Sequence, residues 1–375
     1  MDFALSSSCN PVELFYCGTM PEGMAFRQIV GHRALLYVIA KALVRDSLPP
    51  SMLFAGPEGV GKRLVAQSIA QAMNCLSPRI GSGLDIFPID GCGTCSVCNR
   101  IARGVFPDFI VVKPTEKIGS KAIESETGSI KIDQLRSVYD QAAYRPFEAK
   151  RRVVVIDQAE TMRDQEQSAF LKNLEEPPTS TQFILVTSRP DMLRATIRSR
   201  CPQLRFGVLT VDEIVDVLRR NEGLSEKVSR AAAATSGGRI GRAIKGATGE
   251  FSMSRDAALE FLDAISSARD VRGKVICAKA LATVKGKRRT PAADRQELRS
   301  RLESMSALLR DIEAVATSSS IPLVNADVAE KIRKIAGRFD GGRGRRGFSI
   351  IHQAIDAVDH NGSPKVVADW VASRL

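Results

Sequence analysis

Up to about residue 205, short apolar runs alternate with stretches of helical spacing, the rhythm of an α/β domain. Ser51-Met52-Leu53-Phe54-Ala55 reads as a buried strand running into a Gly-rich turn. From Arg63 to Met73, residues Leu64, Val65, Ser68 and Ile69 recur at helical spacing. Phe109-Ile110-Val111-Val112, Val153-Val154-Val155-Ile156 and Phe183-Ile184-Leu185-Val186-Thr187 repeat the strand pattern. Between the last two, a helix carrying Phe170, Leu171 and Leu174 is ended by Pro177-Pro178, because proline pushes the residue before it out of the helical region.

Near residue 207 the texture changes. Thr210-Val211-Asp212-Glu213 is a capping box, in which a hydroxyl and a carboxylate satisfy free backbone N–H groups at a helix start. Ile214, Val217 and Leu218 follow on one face, and a second helix runs to Gly237-Gly238. From there to Leu375, helices and breakers succeed one another without strand alternation. Leu302, Met305, Leu308, Leu309 and Ile312 mark an amphipathic segment. The pattern predicts an α/β domain over 1–207, a small helical domain over 208–250 and a larger all-helical domain over 251–375.

Composition agrees with this division. With 375 residues the chain is too long for one ordinary core, and 44% hydrophobic with 26% charged residues reads as soluble and globular. No apolar run approaches the ~20 residues that span a bilayer. Met1-Asp2-Phe3 does not begin a basic-then-apolar leader, so a cytoplasmic location is expected, with no membrane partner. The net charge of +12 favours an anionic partner such as nucleic acid. The densest basic runs, Lys285-Gly286-Lys287-Arg288-Arg289 and Arg343-Gly344-Arg345-Arg346, are interrupted by glycine and read as loops; each could equally be a solvated connection.

Three constellations carry chemistry. Gly56-Pro57-Glu58-Gly59-Val60-Gly61-Lys62 fits the Walker A pattern, with Gly56, Gly59, Gly61 and Lys62 placed to surround phosphates. The next residue should be Ser or Thr, whose hydroxyl holds magnesium; here it is Arg63, a cation that repels the metal. Val153 to Asp157 fits a Walker B strand, with Asp157 at the metal-binding position. The following residue is Gln158, which can hydrogen-bond water but cannot take its proton; Glu160 is expected to face elsewhere. Finally, Cys75, Cys92, Cys95 and Cys98 include two C-x-x-C steps, the spacing of an all-thiolate metal site. Zinc suits a reducing compartment, and an iron–sulfur cluster is the alternative. Ser199-Arg200-Cys201 by itself suggests no more than an arginine paired with a local carboxylate.

Taken in order, the Walker A loop, the four cysteines, Asp157, Leu174-Glu175-Glu176-Pro177-Pro178 and Thr196 to Cys201 resemble the clamp-loader branch of the AAA+ family. The resemblance is nearest to delta-prime-type subunits of bacterial DNA polymerase III and spans about residues 28–245. It implies an α/β AAA+ P-loop domain (1–207) with a zinc-binding insertion (75–98), a small helical lid (208–250) and a C-terminal helical collar (251–375). It makes Arg200 a finger reaching a neighbour's ATP site in trans, makes the cysteines zinc ligands, and sets Gln28 to His32 beside an adenine pocket. Aligning on Ala243-Ile244 puts Gly241 where motor subunits carry a phosphate-sensing arginine, with Arg239 and Arg242 nearby.

The resemblance therefore implies a non-hydrolysing subunit that helps load a sliding clamp on primer-template DNA. Its partners would be gamma/tau and delta subunits in a hetero-pentameric ring, with ATP acting only through a neighbour and its own site empty or weak. An ATP-hydrolysing gamma/tau-type motor is the alternative, and a zinc-dependent DNA-binding module is a third reading.

Overall fold

Strands that are buried on both faces of a parallel sheet read as unbroken apolar runs rather than alternating ones. This is how the computed structural model uses the apolar runs of the first half of the chain. It describes residues 25–81, 87–118, 121–124, 128–247, 250–268, 270–283, 291–319, 323–325, 328–339, 342–360 and 362–375. The chain forms two units, one of residues 1–113 with 130–208, the other of 114–129 with 209–375.

In chain order the first unit holds α1 (Arg33–Val44), β1 (Ser51–Ala55), α2 (Lys62–Asn74), the short β2 (Arg79–Ile80) and β3 (Ile89–Asp90), α3 (Ser96–Ala102) and β4 (Phe109–Val112). The next strands, β5 (Thr115–Ile118) and β6 (Lys121–Glu124), pair with each other and belong to the second unit. The first unit resumes with α4 (Ile132–Ala142), β7 (Arg152–Ile156), α5 (Asp164–Glu175), β8 (Thr181–Thr187), α6 (Ala195–Arg200) and β9 (Gln203–Arg205). Its five-stranded sheet has the order β4-β7-β8-β1-β9, and every pairing is parallel.

The period of two along each strand divides the core. Met52, Phe54, Val153, Val155, Ile184 and Val186 pack with α1 and α2 on one face. Leu53, Val154, Ile156, Phe183 and Leu185 pack with α4, α5 and α6 on the other. The expected strands and the helices after residues 63 and 160 are present. The edge strand β9 gave no signal in the sequence: Gln203 and Arg205 are exposed, and its parallel pairing with β1, from Leu53 opposite Gln203 to Ala55 opposite Arg205, makes it a strand.

One buried ion pair ties the sheet to the loop before β7. Asp108 accepts N–H groups from Phe147, Glu148 and Ala149 at 2.8–3.0 Å and the Arg152 guanidinium at 3.1 Å. Arg152 also donates to the carbonyls of Gln141, Tyr144 and Arg145. Burial acts to raise the Asp108 carboxyl, but the three amides and Arg152 outweigh it and hold it below the usual range.

The second unit continues with α7 (Val211–Glu222), α8 (Glu226–Thr235), α9 (Ile240–Ala247), α10 (Glu250–Ser267), α11 (Val271–Ala282), α12 (Pro291–Ala316), α13 (Ala329–Ala336), α14 (Arg343–Asp359) and α15 (Pro364–Arg374). The capping box forms as read: Thr210 Oγ1 accepts from the Glu213 amide at 3.3 Å, and Glu213 accepts from the Thr210 amide at 2.8 Å. Helices α7 to α9 close over Ile214, Val215, Leu218 and Ala243, while Leu302, Met305, Leu308, Leu309 and Ile312 of α12 centre the core of the later helices.

The reading of Arg343 to Arg346 as a loop is corrected. These residues are the first turn of α14, where the Arg343 guanidinium donates to the Leu375 carbonyl oxygen at 2.7 Å and stacks on Phe339. The Lys285–Arg289 run lies outside the described residues, as do Cys9 and Cys17. Among the described residues, no helix is long and apolar enough to cross a membrane.

Replacing Asp108 by Ala strands Arg152 and three amides in the core. The expected loss is about 3–5 kcal/mol, read from the urea midpoint. Because the Asp108 carboxyl is lowered on folding, its contribution is complete above the ordinary carboxyl value of ~3.9 and is lost as pH falls through its lower folded value. Asp108→Asn should flatten the acid limb of the stability curve.

Candidate nucleotide and metal sites

The carboxyl end of β1 opens into the Gly-rich loop. Gly56 has φ +153°, and a Cβ there would lie 2.2 Å from the Phe206 carbonyl oxygen. Gly61, at φ +97°, caps the N-terminus of α2. Lys62 begins that helix and is buried; its ammonium donates to the Gly56 and Pro57 carbonyls, both at 2.6 Å. Lys62 is thus folded into its own loop. His32 borders the same loop, with Nε2 3.3 Å from the Val60 carbonyl and its ring edge-on to Phe206.

Arg63 reaches across to the neighbouring segment after β7. Its Nη1 lies 3.3 Å from Asp157 Oδ2, so the residue in the magnesium-ligand position of the loop pairs with the carboxylate in the magnesium-ligand position of the sheet. Asp157 Oδ1 accepts the Gln158 amide at 3.1 Å. Burial pushes the Asp157 carboxyl above its usual range, and the Arg63 guanidinium opposes this. Gln158 itself adopts a left-handed backbone, φ +52°. Glu160 Oε1 accepts from the amide and hydroxyl of Ser188 after β8, at 3.0 and 2.5 Å, which commits that carboxylate to the adjacent turn.

The four cysteine sulfurs converge, all lying within 4.8 Å of one another. Cys75 to Cys95 is 3.8 Å and Cys92 to Cys98 is 3.9 Å. Four thiolates at ~2.3 Å from one tetrahedral ion would be separated by about this much, so the donor set fits a metal. Amides of Thr94 and Cys95 point at Cys92 Sγ, at 3.4 and 3.2 Å. Burial acts to raise the Cys92 thiol, but those amides outweigh it and bring it down to about 6; burial pushes Cys75 and Cys98 up. Cys75 is the C-cap of α2, while Gln71 and Gln67 of that helix donate to the Cys98 and Ile101 carbonyls.

Two residues that the sequence did not single out fix the other side of this module. Asp90 accepts the amides of Phe26 and Arg27 at 2.7 and 3.2 Å and pairs with the Arg27 guanidinium at 2.9 Å. Arg27 also donates to the Gly91 and Cys92 carbonyls, each at 3.0 Å. An acidic residue two before a cysteine carries no distinctive spacing, so only the fold reveals this staple.

Arg200 ends α6 with its side chain 38% exposed, paired to Glu175 at the end of α5 at 2.8 Å and donating to the Thr196 carbonyl at 3.1 Å. The local carboxylate partner that Ser199-Arg200-Cys201 suggests is therefore present, and it comes from the Leu174–Pro178 motif. An exposed pair of this kind is worth at most about 1 kcal/mol and is readily exchanged for another anion. In the second unit, Arg242 is drawn to Glu303 at 3.7 Å.

Residues 31–210 match a family model described as DNA polymerase III, delta subunit. A DNA polymerase III subunit gamma from Buchnera aphidicola subsp. Schizaphis graminum is 28% identical over 195 residues, 52% of this chain and 48% of the relative. DNA polymerase III tau subunits of Salmonella typhimurium and Escherichia coli are each 31% identical over 189 residues, 50% of this chain and 26% of theirs. The chain thus spans about half the length, or less, of these curated relatives. Among solved structures, a DNA polymerase III gamma subunit-related protein of Thermotoga maritima is similar over 90% of this chain and 97% of its own, at 14% identity and TM-score 0.42. A RuvB variant from the same organism covers 84% of this chain and 89% of its own, at 15% identity and TM-score 0.41. Residues 31–210 are thus similar to a DNA polymerase III delta-subunit domain, with gamma and tau subunits among the relatives, and in this chain they form a parallel sheet that is followed by a helical C-terminal region.

Elemental analysis of the purified chain should find one zinc per molecule, lost in Cys95→Ala. Because such a site adds on the order of 10 kcal/mol to folding of its module, chelation should expose residues 87–106 to proteolysis before the sheet.

Proposed function

We propose that this chain is a non-hydrolysing, delta-prime-type subunit of a DNA polymerase III clamp loader. The observation that carries the reading is the contact between Arg63 and Asp157. A loop hydroxyl and a free carboxylate would normally hold magnesium against the phosphates; here one is a guanidinium and the other is paired with it. Gln158 removes the water-activating carboxylate as well, and Glu160 is committed to Ser188. The degenerate nucleotide site consists of Gly56, Gly59, Gly61, Lys62 and Asp157.

Arg200 is the group offered in trans. It stands on the short helix α6, partly exposed, with a weak and exchangeable partner in Glu175. A guanidinium presented this way can stabilise charge on a phosphoryl group held by another subunit. Gamma/tau and delta subunits would complete a hetero-pentameric ring that opens a sliding clamp on primer-template DNA in the cytoplasm. Within this chain 1–207 would be the AAA+ domain with a zinc module at 75–98, 208–250 the lid, and 251–375 the collar that contacts other subunits. Cys75, Cys92, Cys95 and Cys98 would hold the zinc, which shapes the module and takes no part in phosphoryl chemistry.

A motor of the gamma/tau kind is the second reading, favoured by the identity of the relatives. The two separate on one measurement. The lone chain with magnesium-ATP should release no phosphate above background; sustained turnover would make it a motor. In a reconstituted loader, Arg200→Ala should slow hydrolysis at the neighbouring site by roughly 10³–10⁵. Unchanged clamp- and DNA-stimulated turnover would remove the trans role.

A further inference from the structure

A hydrolysing P-loop site uses magnesium for two ends: to join the loop to the strand carboxylate, and to neutralise phosphate oxygens. In this chain the first task is already done without a metal. Arg63 stands at the second position of α2 and spans to Asp157, 3.3 Å away, linking the same two segments. The guanidinium is flat and permanently charged, and carries five N–H donors, so one contact with Asp157 leaves others for an oxyanion. Its side chain is 42% exposed, which leaves that remaining face reachable from solvent.

The charge around the helix start points the same way. The N-terminus of a helix disfavours cations, yet α2 begins Lys62-Arg63 and has no acidic residue in its first turn. Lys62 lies on the Gly56 and Pro57 carbonyls, a placement from which its ammonium can exchange carbonyl oxygens for phosphate oxygens without leaving the loop.

We propose that Arg63 is a built-in replacement for magnesium, and that this loop takes nucleoside polyphosphates as metal-free anions, held without turnover. Magnesium then weakens binding rather than strengthening it. The ion would bring two further positive charges beside Lys62 and Arg63, to a carboxylate that is already paired. Displacing Lys62 from its two carbonyls keeps the affinity modest. The inference rests on reading Gly56 to Lys62 as a phosphate loop, but it is independent of what Arg200 does in trans.

Calorimetric titration of the full chain with ATP, once with EDTA and once with excess magnesium, tests this directly. Binding is expected in EDTA and should fall at least about tenfold on adding magnesium, equivalent to about 1.4 kcal/mol. Arg63→Thr restores a hydroxyl ligand and frees Asp157, so its preference should reverse, with magnesium-ATP bound at least as tightly as free ATP. Lys62→Ala should bind neither form. Tighter binding of magnesium-ATP by the unaltered chain, or no binding in EDTA, would overturn the inference. Either result leaves the Arg200→Ala measurement to stand or fall separately, because that is read on a neighbour's turnover.

Discussion

Three strands buried on both faces set the geometry on which everything else in the first unit depends. β1, β8 and β7 lie side by side and parallel, with Ala55 opposite Thr187 and Ile156 opposite Leu185. Parallel pairing sends all their carboxyl ends to one edge of the sheet, where α/β folds place their ligands. The Gly-rich loop, Ser188 and Asp157 therefore emerge together although they are far apart in sequence. Once that edge exists, an arginine after Lys62 needs only its own length to find Asp157.

The resulting pair contributes little to the stability of the fold. Arg63 is partly exposed, and ion pairs of that sort add little to folding. In place of a hydroxyl and an open carboxylate, the edge presents a guanidinium already joined to its partner. That pair joins the start of α2 to the segment after β7. Arg200, at the end of α6, is likewise a partly exposed guanidinium, held by Glu175 and the Thr196 carbonyl.

One helix joins the two candidate sites. α2 begins at the phosphate loop and ends at Cys75, a span of about 20 Å at 1.5 Å per residue. Its last turns donate Gln67 and Gln71 to the cysteine module, and the module in turn holds Phe26 and Arg27 through Asp90. A metal gathered by the four thiolates would thus brace the end of the P-loop helix and the segment leading to His32, giving a short loop a role in keeping the edge of the site in place.

Much of this was legible in the residues. Unbroken apolar runs announce strands covered on both faces, because a buried strand has no reason to alternate, and Thr210 with Glu213 announces a helix start because those two groups answer its free N–H groups. Gly56 to Lys62 and the cysteine spacing likewise declare a local geometry that needs few distant residues. What the residues could not declare are contacts made by long-range register. β9 is polar and becomes a strand beside β1; the basic run at Arg343 opens a helix whose first side chain is received by Phe339 and the Leu375 carbonyl. Arg63 is visible as an anomaly in sequence, but that it lies against Asp157 follows from strand order alone. Asp90, Glu175 and Arg152 are ordinary charges until the fold brings their partners within 3.1 Å, because pairing across a fold depends on distances that sequence separation does not encode.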